Sequence, residues 1–256
     1  MTGRREARPP PTPMGEDPTR PFPRSILAGP TLDAARSLLG ALLVREALPA
    51  AGDRPARERR VGRIVEVEAY IGEDDRASHA RFGPTGRNRI MFGGPGLAYV
   101  YLVYGMHHCL NVVTEPEGRP AALLVRAVEP VAGLRAMRAA REASARPRRT
   151  AGGPAPRRPI PDARLAAGPG LVAAAFDITR ADTGVDLCDP ASPLRLEEAP
   201  PSEESPAILA TPRIGIAYAG DPWTSVPWRF VVADSPSLSV RASASARPGA
   251  TRPPTP

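Results

Sequence analysis

Two runs of strand-forming residues, Leu97 to Val103 and His108 to Val113, are separated only by Tyr104, Gly105, Met106 and His107. Both runs are rich in β-branched and aromatic side chains, and a glycine in so short a link supports a tight hairpin turn. A link of this length holds its strands antiparallel, because a parallel pair needs a crossover of a dozen or more residues. Other segments join the pattern. Arg63 to Tyr70 alternates β-branched and polar residues, Ala121 to Val128 is an apolar strand, and Arg213 to Ala219 and Trp228 to Ala233 read as late strands. Thr31 is placed to cap a helix with Leu32, Ala35, Leu38 and Leu39 on one face, and Val131 to Arg141 reads as a second helix. Gly168-Pro169-Gly170 opens an apolar helix to Phe176, with the proline in its first turn. There is no internal repeat and no regular strand–helix alternation. The expected fold is one α+β domain, a curved antiparallel β-sheet with a protruding β-hairpin and surrounding helices.

Proline marks the edges of that domain. Residues 1–24 hold seven prolines among charges and read as a disordered Pro/Arg-rich tail, and residues 241–256 read the same way. A basic stretch at about 144–162 reads as a disordered insert, leaving a domain at 25–240. The chain carries a net charge of +7, and all 34 of its Lys-plus-Arg residues are arginine. Such a balance suits a polyanionic partner, nucleic acid above all, or reflects arginine-rich composition alone. Cys109, Cys188, His79, His107 and His108 are too few and too scattered for a zinc signature, so no metal is expected. The amino-terminal stretch lacks the apolar core of a signal peptide, and no apolar run reaches membrane-spanning length. A reducing cytoplasm is the expected home.

In the strand from Arg63 to Tyr70, period-two geometry sets Ile64, Glu66, Glu68 and Tyr70 on one face, with Val65, Val67 and Ala69 on the core face. That polar face is either a solvated outer surface or one wall of a site. The next segment, Ile71 to Arg81, is a polar loop holding His79, and loops off rigid strands are where sites concentrate. Tyr99, Tyr101 and Tyr104 fall within six positions of the hairpin. They either pack a sheet face or, at the tip with Met106, wedge into duplex DNA. Arg126 interrupts an apolar strand and is expected to meet a carboxylate or a phosphate. Asn111, between apolar neighbours, would read a base edge or satisfy backbone. Gly168 and Gly170 at a helix start could offer free N–H groups to a phosphate.

Together these strings resemble the alkyladenine (3-methyladenine) DNA glycosylase family of the mammalian type. The matching strings are Gly62 to Tyr70, His79, Arg87 to Arg89, Met91-Phe92, Tyr99 to Met106, Cys109 to Val113, Leu124 to Pro130, Gly168 to Gly170 and Arg213 to Ile216. They occur in family order over residues 25–240. The resemblance implies a monofunctional enzyme that acts on damaged purines in double-stranded DNA, as a monomer without cofactor. It implies that Glu68 is the general base for the attacking water, held with that water by Arg126 and the main chain at Ile214. Tyr70, His79 and Tyr101 would sandwich the flipped base, and Tyr104 would fill the gap left in the duplex. Asn111 would line the pocket floor, where it crowds the 2-amino group of guanine. The sequence departs from the family pattern at Gly86, where proline is common, and at Leu171, where lysine is usual.

The chemistry is consistent with that reading. A base within a duplex must be flipped and gripped by stacking, and an alkylated purine is a cation suited to tyrosine rings. One carboxylate and one water then suffice. A catalytically silent binder of distorted DNA would gain nothing from Glu68, which repels phosphate. An RNA-binding protein would use the tyrosines but not their pairing with Glu68 and a protruding tip.

Overall fold

Thirteen residues, Arg59–Ile71, form the strand around which the structure is built. This strand, β2, has partners along both edges in the computed structural model, which describes residues 20–46, 58–144, 159–200 and 206–241. One edge pairs with β5 (Ala121–Ala132). The other pairs first with β1 (Leu42–Glu46) and then with β8 (Arg229–Val232). Beyond β5 come β4 (His107–Val113) and β3 (Ala98–Val103), the two arms of the hairpin. Beyond β1 lies β6 (Leu194–Glu197), and β7 (Ile208–Thr211) flanks β8. All pairings are antiparallel, so the eight strands make one open antiparallel sheet, and the α+β expectation holds.

Helices cover one face of that sheet. These are α1 (Arg24–Leu27), α2 (Thr31–Leu38), α3 (Leu134–Ser144) and α4 (Pro169–Ala175). Leu27, Leu38, Met137 and Val172 from the helices join Ile64, Val67, Leu123, Val125, Leu110 and Phe230 from the strands in the main core. Burial of such side chains contributes about 1.5–3 kcal/mol each, so this face dominates the stability. The opposite face of β3, β4, β5 and β2 is covered by loops, and those loops carry the polar residues discussed below.

Several details differ from the sequence reading. Thr31 does not cap α2: Pro30 holds the cap position, and the Thr31 hydroxyl instead donates to Glu115 Oε1 at 2.6 Å. Ile64 belongs to the main core, and Val65 packs on the other face with Ala127 and Val231. The cause is a pair of register shifts on either side of Glu66, one after Ile64 and one before Val67, which break strict alternation. Val131 and Ala132 finish β5, and Gly133, at φ +76° and packed against the Arg59 carbonyl, separates them from α3. Arg213 to Ala219 is not a strand but a loop ending in a 3-10 turn at Ala217–Ala219.

The expected tail and insert are shorter at their described edges. Phe22 is buried, Pro21 bridges to Glu197, and Arg24 forks onto Asp186 at 2.5 Å and 2.7 Å, so residues 20–24 belong to the domain. Ser144 ends α3, and Arg138 binds the Ile160 carbonyl and Asp162. Residues 1–19, 145–158 and 242–256, the rest of those segments, lie outside the described residues. Among the described residues, no helix is long and apolar enough to cross a membrane.

Candidate active site

Four adjacent strands present a row of side chains on the face away from the helices. Tyr99 and Tyr101 come from β3, Cys109 and Asn111 from β4, Leu124 and Arg126 from β5, and Glu66, Glu68 and Tyr70 from β2. Antiparallel register sets Tyr101 opposite Cys109, Asn111 opposite Leu124, and Leu124 opposite Glu68. Tyr70, Tyr101, Cys109, Leu124 and Arg126 of this row line a cleft of about 640 Å³, with the rest of the row beneath them. Its walls include Tyr70, His79, Tyr101 and Arg126, with Gly168 to Leu171 on one side and Ile214 to Ile216 on the other.

Glu68 is fully buried just behind this surface. Its Oε1 accepts the Ile214 amide at 2.7 Å, and its Oε2 accepts the Tyr70 hydroxyl at 2.9 Å and Arg126 Nη1 at 3.1 Å. All three donors line the cleft. A carboxylate oxygen can accept two hydrogen bonds, so Oε1 keeps capacity for one more donor. Burial pushes the Tyr70 hydroxyl well above the ordinary tyrosine range, and the Glu68 charge adds to this, so Tyr70 stays a donor.

The aromatic walls are held from behind. The Arg213 guanidinium lies 4.8 Å from the Tyr70 ring centre and 5.0 Å from that of Trp228. Arg213 is itself fixed by two hydrogen bonds to Asp75, at 2.6 Å and 2.9 Å, with both side chains fully buried. His79 packs edge-on against Tyr101 with ring centres 4.5 Å apart, and its Nδ1 shares a 2.9 Å hydrogen bond with the Tyr99 hydroxyl. Burial, reinforced by Arg87 and Arg81, lowers the His79 pKa to about 4, so the imidazole is neutral at physiological pH. Burial also raises Tyr101, and it raises the Cys109 thiol to about 11. The aromatic walls are therefore neutral rings, with Arg87 beside Tyr101 at the edge and the Glu68–Arg126 ion pair beneath.

The structure gathers most of the residues singled out from the sequence: Arg126, Tyr70, His79, Tyr101, Ile214, Gly168 and Gly170 line the cleft, and Glu68 lies buried just behind it. Asn111 does not reach its surface. It is buried, its amide nitrogen donating to the Tyr99 carbonyl at 3.0 Å and that of Cys109 at 3.4 Å, and Cys109 and Leu124 form the wall there. Tyr104 stands at the hairpin tip, 88% exposed, beside Met106 at 51%. Sequence reasoning missed Asp75, Arg87, Asn88 and the supporting part played by Arg213. Asn88 links the loop by donating to the His79 carbonyl at 2.7 Å and accepting from Thr85. Arg87, Asn88 and Arg213 stood in the family strings without a role, and for Asp75 the signal was its place in the polar loop before His79.

A model of the methylpurine-DNA glycosylase (MPG) family matches residues 25–236. The chain belongs to that family. Among similar proteins, one from Methanocella arvoryzae bearing the name "Putative 3-methyladenine DNA glycosylase" is 46% identical over 225 residues, 86% of this chain and 96% of its own length. A protein of the same name from Myxococcus xanthus is 45% identical over 218 residues, covering 85% and 93%. Membership makes the chain a DNA glycosylase, a hydrolase of the N-glycosyl bond that works on alkylated purines in DNA repair.

Proposed function

We propose that this glycosylase is monofunctional, and that it releases alkylated and deaminated purines from duplex DNA by water attack, leaving an intact abasic site. The reading extends the mammalian-type resemblance to the site and includes a monomeric, cofactor-free enzyme of the cytoplasm. The observation that carries it is the spare acceptor capacity of Glu68 Oε1, held just behind an aromatic cleft by donors that line it. The target base leaves the stack and lies between Tyr70 on one side and His79 and Tyr101 on the other. Tyr104, with Met106 beside it, fills the gap left in the duplex, where exposed apolar side chains find a partner. Gly168 and Gly170 lie where a flanking phosphate would meet free N–H groups.

Water oxygen then attacks C1′ while the C1′–N bond breaks and its electron pair leaves with the purine. Glu68 takes the water proton, and Arg126 and the Ile214 amide hold the carboxylate in place. An alkylated purine departs as a neutral base, whereas a deaminated purine needs a proton from solvent. Asn111 acts from below, fixing the main chain of Tyr99 and Cys109. The strand-nicking alternative requires an amine nucleophile, most often lysine, and the sequence holds no lysine, leaving only the α-amino group.

Two measurements test this. Glu68→Gln should bind a duplex carrying one 7-methylguanine normally while base release falls about a hundred-fold or more, the scale of a lost general base. Release at the wild-type rate would show that another group is the base. Incubation with sodium borohydride should trap no covalent enzyme–DNA adduct, and strand cleavage should need added alkali. A trapped adduct would overturn the monofunctional reading.

A further inference from the structure

Glu68 is not the only fully buried carboxylate on this face. Glu66, two residues earlier on β2, is also 0% exposed and accepts four hydrogen bonds. Arg126 Nε donates at 2.9 Å, Arg229 Nε at 2.8 Å, the Ser239 amide at 2.7 Å and the Ser239 hydroxyl at 2.6 Å. It lies between the two register shifts of β2, paired with Ala127 of β5 on one side and Val231 of β8 on the other. Glu66 and Glu68 lie two residues apart, on the same side of the strand as Arg126, and one guanidinium spans both carboxylates. Burying a charge in this way is costly unless it is paired and hydrogen-bonded on every side, and here it is.

The arrangement has a directional consequence. Glu66 claims Nε of Arg126 and the Ser239 hydroxyl faces Nη2 at 3.4 Å, so Nη1 is the nitrogen that meets Glu68 Oε2. Without Glu66 the planar guanidinium would be free to turn its fork onto both oxygens of Glu68, the bidentate geometry arginine favours. Oε1 would then lose its spare acceptor capacity. Ser239 keeps Glu66 in place through two contacts, and its hydroxyl lies 3.4 Å from Arg126 Nη2. Arg229 ties the same segment down by donating to the Val240 carbonyl at 2.6 Å.

We infer that Glu66, braced by Ser239, is a positioning residue for the glycosylase reaction, acting through Arg126 to keep one oxygen of Glu68 free for water. The inference rests on the reading of Glu68 as the base. Glu66 also offsets charge. Arg126 and Arg229 meet it, and Tyr70 on β2, Tyr101 on β3 and Tyr218 in the loop feel Glu68, while Arg213 is balanced by Asp75. Removing the Glu66 charge leaves Arg126 with Glu68 as its one carboxylate partner.

The test compares Glu66→Gln, Ser239→Ala and Glu68→Gln with wild type on a duplex carrying one 7-methylguanine. It measures duplex affinity, and base release under single turnover as a function of pH. Glu66→Gln should keep affinity within about two-fold while plateau release falls about ten- to a hundred-fold, as expected of a misplaced catalytic group. The acid limb of its pH profile should move to lower pH, because uncompensated guanidinium charge favours the ionised carboxylate; a packing defect alone would not move it. Ser239→Ala, which removes one hydroxyl, should lower release several-fold with the same split from affinity, and it decides the matter if Glu66→Gln does not fold. Wild-type release and an unmoved acid limb in Glu66→Gln, or unchanged release in Ser239→Ala where only that variant folds, would overturn the inference, provided Glu68→Gln is inactive. Activity in Glu68→Gln would instead overturn the reading beneath it.

Discussion

His79 shows how much of this site is set by the state of single residues. Its ring packs on Tyr101 and shares a hydrogen bond with Tyr99, and its pKa is lowered from 6.5 to about 4 by burial and by Arg87 and Arg81. In the unfolded chain the imidazole takes a proton near 6.5, so between that value and about 4 the unfolded state binds more protons. Stability is therefore full above pH 6.5 and is lost as pH falls through this window. In urea melts, moving from pH 7 to pH 5 should cost wild type more than a His79→Asn variant. Equal losses would mean that His79 is charged in the fold. At this scale the sequence was most legible where one strand carried the signal: Glu68 and Tyr70 share a face by simple alternation, and Arg126 was conspicuous among apolar neighbours. It was opaque where partners lie far apart, as with Arg213 and Asp75, 138 positions away.

Elements were legible wherever local rules acted alone. The hairpin followed from turn chemistry: Val103 pairs with His107 across a three-residue link in which Tyr104 and Gly105 both take positive φ, 51° and 66°. The face of Ile64 and Val65 was misread because the register shifts arise from pairing with β5, which alternation along β2 cannot reveal. The loop at Arg213 was misread for a similar reason. Its apolar alternation looks strand-like, but the main chain at Ile214 is spent on Glu68 instead of a neighbouring strand. Tyr104 carries its own prediction. A bulky residue in left-handed backbone costs about 1–2 kcal/mol, and its exposed ring returns little within the fold. Tyr104→Asn should therefore leave thermal stability unchanged or raise it by up to about 1 kcal/mol. The same variant should weaken binding to lesion duplex by about 1–3 kcal/mol, comparable to one lost stacking contact. A drop in stability with unchanged binding would make Tyr104 a packing residue.

Over the whole molecule, the loop-covered face depends on a few long-range ionic ties. The Asp75–Arg213 pair joins the loop after β2 to the loop after β7 and supports Tyr70 from behind. Asp75→Ala leaves a buried, unpaired guanidinium and should cost about 3–5 kcal/mol in urea melts. A loss under about 1 kcal/mol would mean that Arg213 finds another partner. The clasp of Ser239 on Glu66 is longer still, closing across 173 positions of chain. On the ribosome, at about 5–20 residues per second, roughly ten to thirty-five seconds separate the synthesis of those two residues. Glu68 and Tyr70 therefore emerge early into a nascent chain that cannot yet brace Arg126. On this account a growing or truncated polypeptide has little power to strip bases from DNA, and the activity switches on only when translation has passed the last strand.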